Sequence, residues 1–125
     1  MALVLVVEDN ADNMLLTVLL LESASHTVLC AIDAEAGLTM ARERLPDLIL
    51  MDVQLPGMDG LEATALLKQD AATRAIPVIA LTALAMKGDE ERIRTAGCNG
   101  YIAKPMRIRD FLAAVATQLA AAPAP

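Results

Sequence analysis

Five short apolar runs, each followed by a longer stretch with helical spacing, constrain this 125-residue chain more than any other feature. The runs are Leu3 to Val7, Thr27 to Ala31, Leu48 to Met51, Pro77 to Leu81 and Gly100 to Ala103. The stretches between and after them are Ala11 to Ser23, Ala34 to Arg44, Gly60 to Asp70, Met86 to Ala96 and Arg107 to Ala121. The first four runs are continuous rather than alternating, the pattern of parallel strands covered on both faces. Parallel strands joined by helices need right-handed crossovers, which put helices on both sides of one sheet. A closed barrel of such units needs ~250 residues, so the sheet is expected to be open and doubly wound. The regular spacing does not make a solenoid, because the units share no repeated motif.

With 56% hydrophobic residues the chain can bury one sizeable core. One domain is expected over residues 1–121, with an Ala/Pro-rich tail at 122–125 that frays and leaves no room for an output domain. The net charge of −6 argues against duplex DNA, other nucleic acid or an anionic membrane as a partner, since those surfaces demand clustered cations. Cys30 and Cys98 stand far apart, with no zinc-ligand spacing, so reduced cytosol is the natural compartment. The first residues lack a charged leader, and no apolar run approaches the ~18 residues of a membrane span. A soluble, unexported, cytoplasmic protein is expected.

Local signals agree. Asn10 suits the N-cap of the first helix, and Pro46 and Pro77 sit just before strands, where a helix has already ended. Asp89 with Arg92, and Glu90 with Arg94, mark an exposed helical face.

In an open parallel sheet, ligands bind beyond the carboxyl ends of the strands. Glu8 and Asp9 follow the first run, Asp52 the third, Thr82 the fourth, and Lys104 with Pro105 the fifth. Singly, each has a plain reading as a loop acid, a strand threonine or a surface lysine. Together, they bring three acids, a hydroxyl and an amine to one edge. Two unit charges ~4 Å apart at an effective dielectric of ~20 repel by ~4 kcal/mol. Two such contacts rival a domain's net stability of ~5 to 15 kcal/mol, so a cation is needed.

An all-oxygen acid cluster is the ligand set of Mg²⁺, and Ca²⁺ is disfavoured because no dense EF-hand type loop is present. The expected ligands are Asp9, Asp52 and the backbone carbonyl of Gln54, with Glu8 holding a metal-bound water. Mg²⁺ in such a place implies a phosphoryl group. The Asp52 carboxylate can act as nucleophile to give an aspartyl phosphate, with Lys104 neutralising the transferring oxygens and the Thr82 hydroxyl bonding one of them.

From Leu3 to Leu119 the chain resembles a two-component response-regulator receiver domain. The resemblance is carried by LVLVVEDN from Leu3 to Asn10, DLILMDVQLPGMDG from Asp47 to Gly60, PVIALTA from Pro77 to Ala83, and GYIAKP from Gly100 to Pro105. The stretch Ala83 to Gly97 is also similar to single-domain cell-cycle and polar-differentiation regulators of the DivK type, although receiver modules of hybrid histidine kinases carry similar segments.

The resemblance implies a flavodoxin-like (βα)5 fold, with strand order 2-1-3-4-5, phosphorylated on Asp52 from a phosphohistidine donor. It implies Glu8 and Asp9 as the acidic pair, Thr82 and Lys104 as the hydroxyl and the lysine, a cis Lys104–Pro105 bond, and Tyr101 as an aromatic switch partnered by Thr82. The acyl phosphate would draw Thr82 inward and vacate space for the Tyr101 ring, shifting an existing equilibrium at the face of the fourth helix, fifth strand and fifth helix. Ala83 is small enough to leave the site open. Leu84, two residues after Thr82, cannot orient an attacking water, so self-dephosphorylation is expected to be slow. The protein is then no enzyme on a separate substrate, but a partner of a histidine kinase or histidine phosphotransfer protein and of a downstream protein. It would be a monomer or a phosphorylation-dependent dimer.

Met14, Leu15, Leu16, Val18, Leu19, Leu20 and Leu21 are too many apolar residues for one core stripe, so some of the first helix must face outward, as docking to a helical donor bundle would require. Three rivals stand beside this reading. An aspartyl-phosphate phosphatase would need an acid where Gln54 stands. A flavin or nucleotide binder would need glycines where Glu8 and Asp9 stand. A receiver-like interaction module that works without phosphorylation is the third.

Overall fold

The computed structural model describes residues 2–83, 87–104 and 107–121. Five strands, β1 (Leu3–Val7), β2 (Thr27–Ala31), β3 (Leu48–Asp52), β4 (Val78–Thr82) and β5 (Gly100–Ala103), alternate with five helices. These are α1 (Ala11–Ser23), α2 (Ala34–Arg44), α3 (Gly60–Gln69), α4 (Lys87–Thr95) and α5 (Ile108–Ala121). All strand pairings are parallel, and the sheet order is β2-β1-β3-β4-β5. The expected open, doubly wound flavodoxin-like sheet is the one observed.

The element ends differ from the sequence expectation by a residue, for local reasons. β3 runs through Asp52 because the Val53 amide still donates to Leu81 across the ladder, at 3.0 Å. Pro77 has no N–H, so β4 starts at Val78, although the Pro77 carbonyl accepts from Ile49. β4 continues through Thr82, whose carbonyl accepts the Lys104 amide at 2.8 Å. Thus Asp52 and Thr82 are the last residues of their strands rather than the first beyond them. α3 stops at Gln69 because Asp70 is extended, and Arg107 stays outside α5, its carbonyl accepting the Phe111 amide. The expected starting residue of α4, Met86, lies outside the described residues, as does the 122–125 tail.

Alternation along the strands sends side chains to two cores. Leu5, Val7, Ile49, Met51, Val78 and Ala80 pack under α2, α3 and α4. Val4, Val6, Leu48, Leu50, Ile79, Leu81 and Ile102 pack with Leu20 and Leu21 of α1 and Phe111 and Val115 of α5. At ~1.5 to 3 kcal/mol per fully buried large apolar side chain, the two cores together dominate the folding free energy. α4 inserts one large apolar residue, Ile93. On α1, Leu15, Leu16 and Leu19 stay 60%, 41% and 56% exposed, so the surplus apolar residues do face solvent.

Helix entrances are capped by side-chain oxygens: Asn10 accepts from the Asn13 amide, Asp33 from Ala36, and Asp59 from both Leu61 and Glu62. The strand register sets the heights of the strand ends. Val7 pairs with Met51, Asp52 with Leu81, and Thr82 with Ala103. The rim where the strands finish therefore gathers the residues that follow β1, β3, β4 and β5.

Candidate functional site

At the finishing rim, ligand oxygens of Glu8, Asp9 and Asp52 all lie within 4.8 Å of one another. β1 and β3 are neighbours, so the acids after one and at the end of the other are forced together. Glu8 is only 1% exposed and Asp52 4%, whereas Asp9 is exposed. Glu8 is therefore no solvated loop acid. Lys104 bridges the two buried carboxylates, with Nζ 2.7 Å from Glu8 Oε1 and 3.3 Å from Asp52 Oδ2. Asp52 Oδ1 accepts the Gln54 amide at 3.0 Å, and Glu8 Oε2 accepts the Asn10 amide at 3.4 Å.

Burial, followed by the adjacent Asp52 carboxylate, pushes the Glu8 carboxyl above its ordinary pKa, and Lys104 offsets this only in part. For Lys104, burial by itself favours the neutral amine. The hydrogen bond to Glu8 and the charges of Asp52 and Glu8 outweigh it, and its pKa is raised. The ammonium is thus held charged between two acids. Thr82 is fully buried at the end of β4, one strand over from Asp52. Tyr101 sits on β5, the edge strand beyond β4, and is 40% exposed.

The chain therefore brings Glu8, Asp9, Asp52 and Lys104 into one cluster and sets Thr82 at its edge. The donor set fits a hard divalent cation: every ligand atom is a carboxylate oxygen, and three acids face one ammonium. Pro105 and Leu84 lie outside the described residues, and with them the expected cis bond and the residue two after Thr82.

Sequence reasoning missed Gly60. A Cβ at this position would come within 2.0 Å of the Asp52 carbonyl oxygen and 3.0 Å of Met51 Cγ. Its amide donates to the Val53 carbonyl at 3.0 Å, so the first turn of α3 lies directly against the main chain of Asp52. A glycine inside the first helical turn costs ~1 kcal/mol relative to alanine, and its presence just after the Asp59 cap was the available signal of close approach.

The model of the response regulator receiver domain family matches residues 4–116. The chain is 49% identical over 116 residues to the polar-differentiation response regulator DivK of Brucella anthropi, covering 93% of this chain and 94% of that one. The DivK of Brucella ovis matches equally, at 49% over the same shares. Among solved structures, the receiver domain of a sensor histidine kinase from Pseudomonas aeruginosa superposes with a TM-score of 0.90 at 33% identity, covering 96% and 98% of the two chains. That structure has a magnesium ion coordinated in its active-site cleft. A chemotaxis protein, CheY4 of Vibrio cholerae, superposes with a TM-score of 0.89 at 25% identity, over 94% and 98%.

Proposed function

This chain belongs to the response regulator receiver domain family and is DivK-like, and on that premise we propose that it is a cytoplasmic phosphorelay switch that takes a phosphoryl group onto Asp52 from a phosphohistidine donor. The observation that carries the reading is the meeting of Glu8, Asp9 and Asp52 around the Lys104 ammonium. Asp9, Asp52 and the Gln54 carbonyl would hold Mg²⁺, with Glu8 reaching it through water. When bound, Mg²⁺ supplies positive charge to the phosphoryl oxygens.

An Asp52 carboxylate oxygen attacks phosphorus, the O–P bond forms, and the P–N bond to the donor imidazole breaks with its electron pair left on nitrogen. Lys104 neutralises the transferred oxygens, and the Thr82 hydroxyl donates a hydrogen bond to one of them. Inward movement of Thr82 lets the Tyr101 ring turn from its half-exposed position, and the surface of α4, β5 and α5 changes for a downstream protein. The outward leucines Leu15, Leu16 and Leu19 stand on the helix that starts beside Asp9 and suit docking to a helical donor, a histidine kinase or a histidine phosphotransfer protein. Leu84 offers no hydrogen bond to a hydrolytic water, so the acyl phosphate is long-lived and the chain acts on no substrate but itself.

Intact-mass analysis with Mg²⁺ and a small acyl-phosphate donor tests this. The expected result is one phosphoryl adduct on the wild type and none on Asp52→Ala. A wild type that stays unmodified with both the acyl phosphate and a phosphohistidine donor would overturn it, leaving an interaction module that works without phosphorylation.

A further inference from the structure

The rim where the strands begin carries a polar junction that the phosphoryl chemistry does not use. Lys68, near the end of α3, directs Nζ to three oxygens: Ile76 O at 2.7 Å, Asn99 Oδ1 at 3.2 Å and Arg74 O at 3.3 Å. No carboxylate pairs with it among the described residues, and burial lowers its pKa. Asn99 is the junction's other half. Its Oδ1 also accepts the Val78 amide at 3.0 Å, its own amide donates to Val78 O at 2.7 Å, and its carbonyl accepts Gln118 Nε2 of α5 at 3.2 Å. The stem of Lys68 runs beneath the turn before β5, where Gly97 has φ +107° and a Cβ would meet Lys68 Cγ at 2.7 Å. One ammonium and one amide thus bind α3, the entry to β4, the entry to β5 and α5.

β5 is a four-residue edge strand that, among the described residues, is laddered to β4 alone. Thr82 lies four residues beyond Val78 on β4, and Tyr101 two residues beyond Asn99 on β5, opposite Ala80. β4 is laddered to β3 on its other side, whereas β5 is held by β4 alone, so what fixes the start of β5 decides whether it can shift along β4. We propose that Lys68, acting through Asn99, is a positioning residue of the switch: it anchors the start of β5 to α3 and to the entry of β4, so that displacement of Thr82 reaches Tyr101 as a change of ring position instead of being absorbed by a slide of β5 along β4. This rests on the phosphorylation reading above. Methionine at 68 preserves the buried stem and removes all three donors, which isolates the anchor from the packing.

Tyr101 is the single tyrosine and the chain has no tryptophan, so intrinsic emission reports that ring alone. The experiment measures tyrosine emission against the phosphoryl stoichiometry read by intact mass, after Mg²⁺ and a small acyl phosphate, in the wild type, Lys68→Met and Gln118→Met. The expected result is equal stoichiometry in all three, with the emission change per phosphoryl group falling at least threefold in Lys68→Met and less in Gln118→Met. A purely structural role would lower the melting temperature and leave the change per phosphoryl group intact. A full response in folded Lys68→Met overturns the proposal; should Lys68→Met not fold, a full response in Asn99→Ala, which breaks the Lys68–Asn99 contact, overturns it instead. A wild type that takes no phosphoryl group fails the underlying reading instead, and is recognised by its mass.

Discussion

At the starting rim of the sheet, Lys68 and Asn99 meet backbone and side-chain partners that match them donor for acceptor, and the Asp47 carboxylate accepts the Leu3 amide at 2.8 Å. At the finishing rim, three carboxylates crowd one ammonium, and Asp9 has no partner among the described residues. The same fold thus satisfies polar groups at one end of its strands and concentrates like charge at the other. The difference separates a rim whose polar groups add to the stability of the fold from one whose crowded acids subtract from it, and a fold tolerates such a group chiefly where function requires it.

The largest effect expected on stability comes from the satisfied rim. Asn99→Ala leaves the Val78 amide and one Lys68 donor without their acceptor, and should lower unfolding stability by roughly 2 kcal/mol in urea titration. A midpoint unchanged from the wild type would remove the contrast between the rims. Asp9→Asn, at the crowded rim, should act in the opposite direction. In divalent-free buffer it should raise stability by about 1 kcal/mol through relief of like charge, and it should abolish the stabilisation expected of the wild type on adding Mg²⁺. Loss of stability in this variant without Mg²⁺ would show that the acids are not in conflict.

The smallest effect concerns Asp70, between α3 and β4. Its carboxyl lies below the ordinary carboxylate pKa because the Ala72 amide and the Arg42 side chain bond it, at 2.9 and 3.1 Å. A depressed carboxyl contributes stability above its unfolded pKa of 3.8 and loses it as pH falls through the lower folded value. Wild type and Asp70→Asn should therefore differ slightly at neutral pH and converge in strong acid, in urea midpoints measured across that range. A gap that widens on acidification would reverse the assigned sign.

The sheet was legible because continuous apolar runs can be buried only in a strand flanked on both faces, as Leu48 to Leu50 and Val78 to Leu81 are. Run-reading stopped short of Asp52 and Thr82 because polarity hides a residue that ends a strand by hydrogen bonding alone. In the site, the rule that strand ends bind ligands located Glu8, Asp52 and Lys104. It did not reveal that Glu8 is buried on Lys104, 96 positions away in the chain. The Lys68 and Asn99 junction left no local trace either, since its partners are 31 residues apart and neither belongs to a motif. Gly60 was written in the sequence but needed the β3 main chain beside it to acquire a meaning.

The strand register has one more consequence. Because Asp52 stands level with Leu81, and Thr82 with Ala103, the pedestal of Lys104 is set two residues higher than Asp52, roughly 6 to 7 Å along the strand direction. The lysine works as a boom hung from the top of a staircase, its four methylenes lowering the amine onto acids on the lower steps. Such an arm can be raised to make room for a bulkier cargo on the bottom step without shifting a single rung of the ladder beneath it.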